Sequence, residues 1–130
     1  MAIDPYSSVP IYSQIVEHVR RAVAAGVYRP GEAIPSLRAM ALELVVNPNT
    51  VQRAYEELER EGLVQARKGL GMFVTENGTA SAIDKSAACV YATFVQGIRA
   101  GRAAKLSPER IRGSFDQAWQ NSHTEAGSEV

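Results

Sequence analysis

Asn47-Pro48-Asn49-Thr50-Val51-Gln52-Arg53-Ala54-Tyr55 is the stretch from which the fold can be read. Asn47 suits the N-cap of a helix, and Pro48 suits its first turn, where φ is already set and no amide donor is missed. Beyond them Val51, Ala54, Tyr55 and Leu58 recur at helical spacing as one apolar face, and Gly62 marks the stop. Upstream, Ser36 is placed to cap a shorter helix with Leu37, Met40, Ala41 and Leu44 on its inner side. Further back, Ile11, Ile15, Val19 and Val23 fall at every fourth position between Pro10 and Gly26, with Val16 and Ala22 beside them. Three helices, the last two joined by a tight turn, outline a helix-turn-helix.

Arg29-Pro30-Gly31 reads as a turn, and Ala33-Ile34-Pro35 leaves room for a very short strand at most. After the third helix, Leu63-Val64-Gln65-Ala66 and Met72-Phe73-Val74-Thr75 flank the basic, glycine-bearing Arg67-Lys68-Gly69-Leu70-Gly71, which predicts a hairpin. The expected fold is therefore mostly α with a small β-hairpin, a winged helix-turn-helix over residues 1–76. The small polar residues 77–82 read as a linker. Residues 83–121 predict two further helices, and the polar residues 122–130 read as a disordered tail. In the fourth helix Ala88, Tyr91, Val95 and Ile98 line one side while Val90 and Phe94 line another; the fifth carries Ile111, Phe115 and Trp119. Apolar surface on two sides needs more than a hairpin partner to cover it. Tyr91, Phe94, Val95, Ile98, Phe115 and Trp119 are accordingly expected to hold two chains together as a homodimer.

The composition narrows the function. In 130 residues there are 14 Lys+Arg, 14 Asp+Glu and a single cysteine, Cys89. One cysteine excludes a disulfide framework or a multi-cysteine zinc cluster, and its apolar helix predicts a buried structural thiol. No stretch approaches the ~20 apolar residues of a membrane span, and the start of the sequence has no secretory pattern, so a cytoplasmic protein is expected. His18 and His123 stand without a carboxylate cluster, and no phosphate loop or metal-ligand spacing occurs, so neither an enzyme nor a cofactor is expected. Residues 1–76 hold eight basic and nine acidic side chains. A nucleic-acid binder is often basic over its domain, so such a function requires the charges to separate onto different faces.

The third helix offers that separation. With Val51, Tyr55 and Leu58 inward, Asn49, Gln52, Arg53 and Glu56 face outward, and Thr50 lies beside them on the first turn. Amides match adenine and arginine matches guanine through paired hydrogen bonds, and the first half of this helix enters the major groove in such motifs. Glu57, Glu59 and Glu61 lie toward the far half, while Glu56 sits awkwardly among the readers. Arg38, one turn into the second helix, is placed to grip phosphate; the alternative is an ion pair with Glu43 or Glu32. Arg67 and Lys68 at the hairpin tip could reach phosphates or the minor groove, with Gly69 letting the loop lie close. Asn47 is a cap on either reading.

Several short segments, in this order and spacing, resemble the GntR family of transcription regulators: Pro10-Ile11-Tyr12-Ser13-Gln14-Ile15, Arg29-Pro30-Gly31, Ile34-Pro35-Ser36-Leu37-Arg38, Val46-Asn47-Pro48-Asn49-Thr50-Val51, Arg53-Ala54-Tyr55-Glu56-Glu57-Leu58-Glu59, Glu61-Gly62-Leu63 and the wing. The resemblance implies a DNA-binding dimer, with Arg38, Asn47, Asn49, Thr50, Gln52, Arg53, Lys68 and Gly69 facing an operator. Many relatives carry Arg at the position of Gln52, so the base read there is expected to differ. The Val-Asn-Pro-Asn-Thr wording and the short C-terminal part look like the YtrA subfamily, whose members dimerise through two terminal helices and often repress ABC-transporter operons. The leading expectation is a repressor on an inverted-repeat operator. The alternative is a winged-helix module for protein–protein assembly, supported by the neutral charge alone. An effector pocket lined by Tyr91, Phe94, Phe115 and Trp119 is the weaker reading, since aromatics at helical spacing more often build a core.

Overall fold

The computed structural model describes the backbone of residues 3–128 and the side chains of residues 3–122. In order, the elements are α1 (Ile11–Ala24), α2 (Leu37–Leu44), α3 (Pro48–Arg60), β1 (Val64–Arg67), β2 (Gly71–Val74), α4 (Gly78–Ala103) and α5 (Pro108–Ser128). They fall into two compact units, residues 1–88 and 89–130.

In the first unit α3 is the central element, packing against α1, α2 and β1. Its inner face is the apolar stripe read from the sequence: Val51, Ala54, Tyr55 and Leu58 are all buried. They meet Ile15, Val16, Val19 and Val23 of α1, Met40 and Ala41 of α2, and Leu63, Val64 and Val74 of the hairpin in one core. Each fully buried aliphatic side chain of this kind contributes about 1.5–3 kcal/mol. Tyr55 brings a hydroxyl into the core and satisfies it by donating to the Pro35 carbonyl at 2.8 Å. Burial pushes its phenol pKa upward, which keeps the donor protonated.

The predicted caps hold. Ser36 Oγ accepts from the Ala39 amide at 3.1 Å, and Asn47 Oδ1 accepts from the Asn49 amide at 2.8 Å. α3 stops at Gly62, whose φ of +81° lets the Leu63 amide turn back onto the Leu58 carbonyl at 3.1 Å. The hairpin pairs Val64 with Val74 and Arg67 with Gly71 in an antiparallel ladder. The segment before α2 joins its open edge. Ala33 bridges Phe73, and the Gly31 and Ile34 amides donate to the Val74 and Met72 carbonyls at 2.9 and 3.0 Å.

The turn between α2 and α3 contains a strained residue. Val45 closes α2 with φ +56° and is 89% exposed. A left-handed conformation costs an L-residue about 1–2 kcal/mol, and a β-branched side chain is poorly suited to it. With no burial to offset this cost, Val45→Gly is expected to raise stability by about 0.5–1 kcal/mol after the entropy cost of glycine. Thermal denaturation would show a melting temperature a few degrees higher; an unchanged or lower value would contradict the strain argument.

The readings of both segments flanking the fourth and fifth helices need correction. Residues 77–82 are no free linker: α4 begins at Gly78, and Ala82 is fully buried in the core. A Cβ at position 78 would lie 2.7 Å from Val74 Cγ1 and 2.9 Å from the Leu63 carbonyl oxygen. The small residues that resemble a linker are thus what lets the first turn of α4 close on the base of the hairpin. At the other end, the backbone of α5 is helical through Ser128, where residues 122–130 were expected to be disordered; residues 129 and 130 and the side chains from His123 onward lie outside the described residues.

In the second unit α4 and α5 approach closely where Gly101 meets Ile111; a Cβ there would lie 2.8 Å from Ile111 Cδ1. Phe94 meets Phe115 edge-on at 5.6 Å, and Phe115 stacks on Trp119 at 6.1 Å. Cys89 is exposed, not buried as its apolar surroundings in sequence suggest.

Candidate nucleic-acid interface

α3 presents its polar face away from the core. Asn49, Gln52, Arg53 and Glu56 are all exposed, whereas Thr50 is half-buried on the first turn. Asn49, Gln52, Arg53 and Glu56, together with Tyr12 of α1, Glu57 and Arg60, line a polar groove of about 530 Å³. Gln52 and Glu56 also border a second groove, shared with Ser36 and Leu37 at the start of α2 and Leu70 and Gly71 of the wing. The structure thus brings three sequence segments together along α3: its own outward face, the N-terminus of α2 and the hairpin tip. Arg38, Arg67, Lys68 and Gly69 are exposed but line neither groove. Asn47 is exposed too, with its side chain engaged in capping α3.

Side-chain partners separate these residues further. The Arg53 guanidinium lies 3.8 Å from the Tyr12 ring centroid, a cation–π contact that holds it against α1. Arg67 stacks at 4.3 Å over Phe73. The two lie diagonally across the hairpin, because Arg67 faces Gly71 in the register and that glycine leaves the space open. Gln52 Nε2 donates to Glu56 Oε1 at 3.2 Å. Tyr12 was not singled out from the sequence. The available signal was an aromatic residue one position past the start of the apolar stripe of α1.

The pattern of ion pairs answers the neutral net charge. Glu17 pairs with Arg20 and Arg21, Glu57 with Arg60, and Glu61 with Arg20 and Lys85. Glu59 accepts from the Ala66 amide at 3.1 Å. Among the described residues of the first unit, the basic side chains left without a carboxylate partner are Arg29, Arg38, Arg53, Arg67 and Lys68. Arg38 forms neither of the ion pairs that competed with a phosphate role; Glu32 instead accepts from the Arg29 amide at 2.8 Å. Four of the five free cations are therefore the residues nominated from the sequence. Unpaired cations on the polar side can neutralise phosphates, while Glu17, Glu57, Glu59 and Glu61 are engaged in internal contacts.

In the second unit the residues expected at a subunit contact are largely uncovered. Tyr91 is 71% and Trp119 62% exposed, Phe94, Ile98 and Phe115 are also exposed, and Val95 is half-buried. An open apolar groove of about 710 Å³ runs between α4 and α5 past Phe94, Ile98 and Phe115. Among the described residues no cluster of metal-binding side chains occurs, and no helix is long and apolar enough to cross a membrane.

Residues 11–74 match the family described as "Bacterial regulatory proteins, gntR family". The chain is 42% identical over 82 residues to the HTH-type transcriptional repressor YtrA of Bacillus subtilis, a match covering 63% of each chain, and so spans under two thirds of that relative. Its fold is similar to that of a GntR family transcriptional regulator from Listeria monocytogenes, with TM-score 0.73 and 30% identity over 85% of this chain and 96% of that one. It is also similar to the DNA-binding domain of AraR in complex with operator ORX1, with TM-score 0.54 and 25% identity over 58% of this chain and 95% of that one.

Proposed function

From the premise that this chain belongs to the GntR family of bacterial regulatory proteins, we propose that it is a repressor that binds an inverted-repeat operator as a homodimer. The observation that carries the reading is the set of unpaired cations, Arg38, Arg53, Arg67 and Lys68, around an outward helix face bearing Asn49 and Gln52. In this arrangement α3 enters the major groove, Gln52 and Arg53 reach base edges, and Arg38 and the wing set the register on phosphates. Asn47 and Thr50 support the first turn of α3, and Gly69 keeps the tip of the wing slim. Repression is favoured by the similarity to a named repressor. A transporter operon as the target rests on the YtrA resemblance alone. The second unit supplies the dimer contact through its uncovered apolar side chains.

Phosphate contacts and base contacts respond differently to mutation, which gives the test. Gln52→Ala and Arg53→Ala are each expected to cost about 1–3 kcal/mol at the cognate site and to change which operators are preferred. Lys68→Ala is expected to weaken binding to all sequences alike and to lower the salt slope by about one. Gel shifts on upstream and scrambled duplexes at two salt concentrations separate the two classes. Equal losses on both duplexes for Gln52→Ala and Arg53→Ala would remove them as base readers. Failure of the intact chain to bind its upstream DNA would favour the assembly-module reading instead.

A further inference from the structure

Glu56 stands unpaired among the described outward residues of α3, and its position makes that conspicuous. Along α3 the residues Asn49, Gln52, Arg53 and Glu56 follow the spacing i, i+3, i+4 and i+7, and all four are exposed. That is the spacing at which a single recognition helix lays four side chains into a major groove. On the helical wheel Asn49 and Glu56 lie on the midline opposite the buried Val51 and Leu58 stripe, with Gln52 toward the wing and Arg53 toward Tyr12. Glu56 therefore sits in the middle of the reading face, two turns beyond Asn49.

Its partners are equally specific. The neighbouring acids are engaged: Glu57 with Arg60, Glu59 with the Ala66 amide, Glu61 with Arg20 and Lys85. Glu56 has no ion pair among the described residues, and its side-chain hydrogen bond comes from Gln52 Nε2 at 3.2 Å. A carboxylate that accepts one hydrogen bond keeps most of its acceptor capacity and offers no donor. Placed among phosphates it weakens general attraction, so whatever it contributes must be discrimination. In the major groove cytosine presents an N4 amine donor, whereas guanine presents two acceptors that a carboxylate repels.

We infer that Glu56 is a specificity-determining residue that accepts a hydrogen bond from the N4 amine of a cytosine, with Gln52 orienting its carboxylate. The inference rests on the reading of α3 as the helix that enters the groove. It also gives the neutral reading head a purpose: Glu56 sacrifices affinity for any DNA in return for rejecting guanine at one position of each half-site.

Selection of the full-length chain on a randomised duplex library tests this, with Glu56→Ala and Glu56→Gln run in parallel. The wild type is expected to favour cytosine over guanine about 5- to 100-fold at one position per half-site. Glu56→Ala is expected to reduce that preference to within about twofold while the other positions keep theirs. Glu56→Gln, which can pair with adenine, is expected to shift the preference at the same position. Glu56 is exposed, so each variant is expected to keep the fold, which circular dichroism checks. Two outcomes overturn the inference while leaving the helix assignment intact: an unchanged preference profile, or a uniform rise in affinity for every sequence. A wild-type chain with no preference at any position overturns the reading of α3 itself, and this inference with it.

Discussion

A chain ended after Ala88 is expected to be a folded monomer that binds operator DNA about a hundredfold or more weakly than the 130-residue chain. The first unit buries its own core and carries every residue assigned to DNA, so removal of the rest leaves the reading head intact. The cut belongs after Ala88 because Ala82 is part of the core and Lys85 faces Glu61 at 3.9 Å; ending the chain near Gly78 would strip the hairpin of its cover. What the cut removes is the surface that Tyr91, Phe94, Ile98, Phe115 and Trp119 leave open to water, an exposed apolar patch of the kind that marks an interface. Joining two weak binders makes the second contact intramolecular and raises affinity by about 10²–10⁴, provided the heads sit ~34 Å or a multiple apart. A reading head with few free cations depends heavily on that gain. Sedimentation and gel shifts on intact and shortened chains provide the measurement, with Phe94→Asp in the full-length chain as a second route to the monomer. A 130-residue chain that is monomeric at micromolar concentration, or a shortened chain that binds as tightly, would exclude the dimer.

The fold was legible where capping chemistry and hydrophobic period agree. Asn47-Pro48 and Ser36 place two helix starts correctly because each side chain satisfies a specific free amide. The period of Val51, Ala54, Tyr55 and Leu58 likewise identifies the buried face of α3. Legibility failed where small residues carry two meanings. Gly78 and Ala82 have the composition of a linker, but smallness is also what close packing on the hairpin requires, and only the neighbouring Val74 and Leu63 distinguish the two. For the site, the outward position of Gln52 and Arg53 followed from geometry. The stacking of Arg53 on Tyr12 did not, since it joins residues forty-one positions apart on different helices. The neutral net charge misled for a related reason. A count of charges cannot show that Glu17, Glu57 and Glu61 are paired while Arg38 and Lys68 are not.

The largest stability effect is expected at Arg20, which joins α1 to the end of α3. Its guanidinium reaches Glu17 at 2.6 Å and Glu61 at 2.7 Å, and the side chains of Arg20 and Glu61 are only 11% and 14% exposed. Arg20→Ala leaves the Glu61 carboxylate almost buried, with Lys85 at 3.9 Å as its remaining cation. Removing one partner of a buried pair costs about 3–5 kcal/mol, and the residual exposure here places the loss near the lower end, about 3 kcal/mol. In a unit of this size that lowers the melting temperature by roughly 12–20 °C. The pair itself is a different matter. Arg20 Nε and Glu61 Oε2 are buried without hydrogen-bond partners, so the network is incompletely satisfied and its desolvation cost is only partly offset. Replacing both ends, as in Arg20→Met with Glu61→Leu, is therefore expected to recover most of the loss, because no charge is then left stranded. Urea denaturation of the wild type, the single variant and the double variant gives all three stabilities. A single variant within about 0.5 kcal/mol of wild type, the range of an ordinary surface change, would show that water reaches Glu61 freely. A double variant as unstable as the single one would mean that the contact between α1 and α3 depends on this ion pair for its geometry as well as its charge.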